Sequence, residues 1–227
     1  MRTVTFKLDE NEADALNGLD LGYVYFTGVT NSSVNPLVDE IIGEASRHIM
    51  EKFKDKDASQ DPTLKGLRSF FSRLGIDPTK DRPSGEALIK RVLSGKGLYR
   101  VNAVVDINNA VSLLTGCPCG VYDAEKISGD TVTVTVGRPG QTHEGIGGKP
   151  VNGEGKILTA DASGVFGGPV ADSKRTCVKP VTKEVLMLIY APKPVEPELL
   201  NEGMSKAIRY MQMATKANAG YSGVFRA

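Results

Sequence analysis

Three stretches predict an α+β fold. Thr131-Val-Thr-Val-Thr-Val136 alternates Val with Thr without a fault, the pattern of a strand with one buried face. Val185 to Tyr190 is a continuous apolar run bounded by Lys183 and Pro192, which reads as a central strand. Pro36 opens a long amphipathic helix. Its apolar side is Val38, Ile41, Ile42, Ala45, Ile49 and Phe53, and its polar side carries Asp39, Glu40, Glu44, Arg47, Glu51 and Lys52.

The remaining elements follow in chain order. Val4, Phe6 and Leu8 alternate with polar residues and predict an opening strand. Asp9 to Leu21 reads as polar and turn-rich, and Tyr23 to Val29 as a second strand. Leu64 to Leu74 makes a shorter helix with Leu64, Leu67, Phe70 and Phe71 inward, ended by Gly75. Pro83 to Leu93 is the next helix, with Pro83 suited to its first position. Gly137 to Gly155 is Gly-rich and reads as hairpin loops. Its Gly145-Ile-Gly147-Gly148 lacks the spacing and the following helix of a dinucleotide site. Lys156 to Ala160 is a strand, and Asp161 to Pro169 a glycine-rich turn where a backbone or ligand can approach closely. Glu198 to Lys216 is the last helix, and the tail from Ala217 is expected to fray. This divides the chain into a strand–strand–helix lobe over 1–60 packed on the core, a central domain over 61–195, and a C-terminal helix and tail over 196–227.

Composition bounds the function. The 227 residues are 40% hydrophobic and carry a formal charge of +1, so a sizeable core is available and no global field advertises nucleic acid. Trp is absent. No apolar run approaches the ~20 residues needed to span a bilayer, and the N-terminus lacks a signal-peptide pattern. A cytoplasmic protein is expected. Its three cysteines fit a reducing compartment better than a disulfide framework. One segment is locally basic: Lys80, Arg82, Lys90, Arg91, Lys96 and Arg100 face only Asp81 and Glu86. It reads equally as a phosphate-contacting patch or as a solvated helix face.

The chemistry centres on Val105 to Asp123, read as a short helix, a tight turn and the start of a strand. Asn108, or Asp106 two residues earlier, can cap the helix, Gly116 stops it and Pro118 fixes an extended exit. Asp106, Asn108 and Asn109 would then flank a helix N-terminus, whose free N–H groups favour an anion or a carbonyl oxygen; plain capping is the simpler reading. His48 reads as a boundary residue. Cys117, Cys119, Cys177 and His143 are a zinc-capable set, but Pro118 stands alone between the paired cysteines. No metal or cofactor is expected.

At Val105, Asp106, Asn109, Gly116, Pro118 and Asp123 the sequence resembles the editing domain of the phenylalanyl-tRNA synthetase beta subunit, in order and spacing. The resemblance runs from about Leu64 to Pro192 and includes an Arg-Pro-Ser segment like that of stand-alone copies of the domain. It implies a layered β-sandwich of unusual topology flanked by helices. It also implies a stand-alone domain that hydrolyses mischarged aminoacyl-tRNA in trans, rather than a complete ligase. In the family the ester removed is that of tyrosine on tRNA for phenylalanine. Carried over, Asn108 and Asn109 hold the ester and water. Gly120, Gly164, Gly167 and Gly168 line the pocket, Asp172, Ser173, Arg175 and Thr176 offer a polar set that differs from the family's and reads another amino acid, and the six basic residues contact the tRNA. Three positions depart from the family: Asn108 stands for Thr, Gly120 for His, and Leu188 falls near the pocket Glu. The alternative is a non-catalytic module that binds tRNA, other RNA or an amino acid.

Overall fold

The computed structural model describes residues 2–227 and shows an α+β molecule in three layers: helices, a four-stranded sheet, and a second four-stranded sheet. The chain opens with β1 (Thr5–Leu8), a 3-10 turn, the short α1 (Ala13–Leu16) and β2 (Leu19–Thr27). Four helices follow: α2 (Pro36–Lys52), α3 (Pro62–Arg73), α4 (Ser84–Leu93) and α5 (Ala103–Thr115). Next come β3 (Cys119–Asp123) and β4 (Thr131–Val136), then the hairpins β5 (Thr142–Glu144) with β6 (Pro150–Asn152) and β7 (Ile157–Asp161) with β8 (Gly164–Gly167). The chain closes with β9 (Val185–Pro192), α6 (Pro197–Thr215) and β10 (Asn218–Arg226).

The central sheet has the order β10-β2-β9-β3 and is antiparallel throughout. The outer sheet has the order β1-β4-β7-β8, with β1 parallel to β4. β9 explains why one segment read as unbroken apolar sequence. Val185, Met187 and Ile189 pack against Val111, Leu200 and Met204 of the helical layer. Leu186, Leu188 and Tyr190 pack against Val132, Val134, Ile157 and Phe166 of the outer sheet. A strand covered on both faces has no polar side to alternate with.

Four local readings are corrected. Residues 9–21 hold a 3-10 turn, α1 and the first residues of β2, which starts at Leu19. The C-terminal tail is an edge strand, paired with β2 from Asn218↔Thr27 to Arg226↔Asp20, and its Tyr221 ring stacks on Tyr25 at 5.0 Å. Cross-strand pairing and aromatic burial outweigh the tendency of a terminus to fray. Gly164 to Gly167 is extended, and the turn lies before it at Asp161 to Gly164, where Gly164 takes φ +112°. Finally, α5 begins earlier than the polar cluster suggested. Asn102 is its cap and accepts from Val105 N, so Asn108 and Asn109 sit mid-helix rather than at its N-terminus.

The α4–α5 contact depends on two glycines. Gly116 ends α5 in the left-handed region at φ +73°. Gly85 of α4 lies so close that an added Cβ would meet the Gly116 carbonyl carbon at 2.5 Å. The obstacle is backbone and cannot rotate away. Gly85→Ala is therefore expected to cost about 3 kcal/mol, read as a lower urea midpoint with an unchanged slope.

Candidate active site

β3 is the strand on which the site is built. Cys119 and Val121 point into the helical layer, and Gly120 and Tyr122 alternate to the face toward the outer sheet. On the helical side, Asn108 is 6% exposed and its Nδ2 donates to the Cys119 carbonyl at 3.3 Å. Its Oδ1 is buried without a hydrogen-bond partner. Asn109 is half-buried beside it on α5.

On the other side lies a polar cluster between the two sheets. The Tyr122 hydroxyl donates to Asp172 Oδ1 at 2.7 Å and lies 3.3 Å from the Tyr190 hydroxyl, itself 3.3 Å from Thr159 Oγ1. The Tyr122 ring is 0% exposed and packs edge-on against Phe166 at 4.8 Å. It also covers two glycines. A Cβ at Gly120 would lie 2.6 Å from the Tyr122 Cζ, and one at Gly167 2.5 Å from the same atom. Burial pushes the Asp172 carboxyl up to about 7, against the pull of its bonds from the Tyr122 hydroxyl and the Gly168 backbone. Burial and the neighbouring Asp172 charge drive the Tyr122 phenol well above its ordinary range. A contact chain thus runs from Asn108 through Cys119–Gly120 and Tyr122 to Asp172 and Gly168.

The other residues of the 172–176 loop have different work. Ser173 N donates to Phe166 O at 2.9 Å, and Thr176 Oγ1 donates to the same carbonyl at 3.2 Å. Arg175 forks onto Asp161 at 2.9 and 3.0 Å and also donates to the Gly164 and Lys126 carbonyls. These three residues fix the loop to the β7–β8 hairpin, which leaves Asp172 as the side chain aimed at Tyr122. Gly168 lies against the Ile157 carbonyl.

The basic segment divides as well. Glu86, 3% exposed, is ringed by Arg68 at 3.0 Å, Arg82 at 3.5 Å and Lys90 at 3.0 Å. Arg100 pairs with Asp106 at 2.8 Å and with Asp39. Lys80, Arg91 and Lys96 form no ion pair among the described residues. Among the described residues no three His, Cys, Asp or Glu side chains converge to hold a metal, and Cys117, Cys119 and Cys177 are free thiols. Burial pushes the Cys117 thiol up to about 12 and that of Cys119 upward as well. His143, on β5, has its imidazole pushed down by burial and by the Lys156 charge. No helix among the described residues is long and apolar enough to cross a membrane.

A family model for the B3/4 domain matches residues 66–215, well over half of the chain. The chain belongs to the B3/4 domain family. The matched B3/4 region begins in α3 and runs through α6, beyond the end at Pro192 that the motif resemblance suggested. Curated relatives of the B3/4 region include the phenylalanine–tRNA ligase beta subunit of Bartonella quintana, 36% identical over 97 residues, 42% of this chain and 12% of that protein. The same subunit from Nitrobacter winogradskyi is 37% identical over 127 residues, 56% of this chain and 13% of that protein. The matched region is thus about an eighth of the length of these relatives. A crystal structure of an N-terminal fragment of the beta subunit from Pyrococcus horikoshii superposes with a TM-score of 0.49 at 12% identity, over 99% of this chain and 51% of that one.

Sequence reasoning missed Tyr122, Tyr190 and Thr159 as members of this B3/4 cluster. For Tyr122 the signal was present, since in a strand it shares a face with Gly120. Tyr190 was hidden in the apolar run of β9.

Proposed function

We propose that this chain hydrolyses mischarged aminoacyl-tRNA in trans, in the cytoplasm, as a B3/4 domain acting without ligase chemistry. The observation that carries this reading is Asp172: a carboxyl held near neutrality and hydrogen-bonded to a buried tyrosine between the two sheets. An ester needs a positioned water, an acceptor for its proton and donors for the developing oxyanion. In this reading the ester lies on the outer-sheet side of β3 beside Asp172, and Asn108, with Asn109 next to it on α5, acts from the helical side by fixing the Cys119–Gly120 backbone. Asp172 takes the proton from the attacking water, as a base with a pKa near the working pH can. The Gly168 backbone N–H holds the Asp172 carboxylate in place for this step, with Gly167 in the wall beside it. The proton then passes to the ribose oxygen as the ester bond breaks, leaving free amino acid and tRNA. Gly120, Gly164 and the anchored Ser173, Arg175 and Thr176 shape the wall around Asp172. Lys80, Arg82, Lys90, Arg91, Lys96 and Arg100 face the tRNA, with the unpaired Lys80, Arg91 and Lys96 contributing most. The relatives named above as phenylalanine–tRNA ligase beta subunits support tRNA as the partner.

One observation favours a second reading. Gly120 and Leu188 are direct partners across β3 and β9; Gly120 stands where the resembled family carries His, and Leu188 falls near its pocket Glu. A module that binds tRNA without turnover fits that loss. The test is deacylation of a panel of mischarged tRNAs, tyrosine on tRNA for phenylalanine included. Turnover of any member, reduced in Asp172→Asn and in the Asn108→Ala, Asn109→Ala double variant, is expected. Full activity in those variants removes the assigned roles, and tRNA binding with no turnover across the panel leaves the binding module.

A further inference from the structure

We propose that the groove at the C-terminal end of α4 is a docking slot for an unpaired RNA base and its flanking phosphates. The inference deepens the tRNA reading above and rests on it for the choice of polymer. The groove has a volume of about 380 Å³ and is lined by Leu88, Lys90, Arg91, Ser94, Lys96 and Tyr99.

Its construction follows from the sequence Ser94-Gly-Lys-Gly-Leu-Tyr99. Gly95 at φ +75° and Gly97 at φ +62° turn the chain back after α4, in a region that other residues rarely enter. Leu98 is buried in the helical core and pins the turn. Tyr99 is left 57% exposed, with Val101 beyond it 56% exposed. The Arg91 guanidinium lies over the Tyr99 ring at 3.8 Å and donates to the Lys96 carbonyl at 3.4 Å. Arg91 Nε is buried with no hydrogen-bond partner.

The charge is only partly compensated. Glu86 answers three cations, Lys90 among them, and Asp57 also lies within Coulombic range of Lys90. Arg91 and Lys96 have no ion-pair partner among the described residues. The occupant that matches both features is single-stranded nucleic acid, which offers a flat π-face to the Tyr99–Arg91 stack and anionic phosphates to Lys90 and Lys96. A duplex hides its base faces and could use only the charges.

The test is fluorescence anisotropy of the full chain with labelled single-stranded oligouridylate and with an RNA duplex of equal length, across a salt series. Single strand is expected to bind tighter than duplex. Its affinity should fall with a log–log salt slope of about −1.4, from two phosphate-contacting lysines at roughly 0.7 each. Tyr99→Ala is expected to weaken single-strand binding about tenfold, Tyr99→Phe to keep it, and Lys96→Ala to flatten the slope by about 0.7. Equal affinity for duplex and single strand, indifference to Tyr99→Ala, or no binding of either RNA overturns the proposal. The readout is independent of turnover: binding without deacylation leaves the slot standing and removes the esterase, and the converse result does the reverse.

Discussion

Asp172→Asn is expected to slow hydrolysis at least about a hundredfold and, above neutral pH, to make the protein more stable. Asn keeps the size of Asp172 and can still accept the bond from the Tyr122 hydroxyl, but it cannot take a proton from water. Loss of a general base costs about 10²–10⁴ in rate. The stability effect comes from the same burial. In the folded chain the carboxyl titrates at about 7, against an ordinary value of 3.8. Below 3.8 it is protonated whether the chain is folded or not. Between 3.8 and about 7 the unfolded chain has released a proton that the folded chain still holds, so stability falls as pH rises. Above about 7 both forms are ionised, and the full penalty of a buried charge remains. That penalty is on the order of 2–4 kcal/mol, from about 1.36 kcal/mol per pKa unit. The Asn variant has no such slope. Thermal melts of both proteins from about pH 4 to about pH 8 should therefore cross over, with Asn the more stable at the upper end. Parallel curves would show that Asp172 does not titrate between those limits. Wild-type kcat/KM should rise with pH through about 7, tracking the same group.

This trade explains part of what the sequence could and could not reveal. The layers were legible because burial writes a period into strands and helices. The Val side of Thr131–Val136 and the apolar stripe of α2 both lie in the core, as their spacing required. The helix cap was misplaced because Asn102 precedes β-branched Val104 and Val105, while Asp106, Asn108 and Asn109 offered a denser polar signal four to seven residues on. Asp106 is polar for another reason: it accepts from Val101 N and Arg100. β10 was missed because its Gly and Ser residues resemble a loose tail; its register is supplied by β2, about 200 residues earlier. The site was legible as a list of residues and not as a geometry. Asp172 and Arg175 look alike in a polar loop, and only the folded chain shows one aimed at Tyr122 and the other tied to Asp161.

The second large effect is expected at Gly167. Its backbone conformation is ordinary, so the constraint is space rather than φ. A methyl group there would enter the Tyr122 ring, with Cζ at 2.5 Å. The ring has nowhere to go, because Phe166 meets its edge, Gly120 lies beneath it and Tyr190 and Asp172 hold its hydroxyl. Gly167→Ala is therefore expected to cost about 3 kcal/mol, a fall in Tm of roughly 10 °C for a chain of this size. Tyr122→Phe removes only the hydroxyl, with an expected cost of about 1–2 kcal/mol from the Asp172 bond, and does not relieve the clash. Tyr122→Ala does relieve it, at the cost of its own cavity. The double variant Gly167→Ala, Tyr122→Ala should then be more stable than the two single losses predict, by about 1–3 kcal/mol of coupling. The same logic applies to Gly120, where a side chain such as the family's histidine would meet Tyr122 Cζ at 2.6 Å. Tyr122, Gly120 and Gly167 are thus one packing unit, in which the tyrosine excludes side chains from both glycine positions. Additive losses in the double variant would show that the ring yields to the methyl group, and that the two positions are free to vary independently.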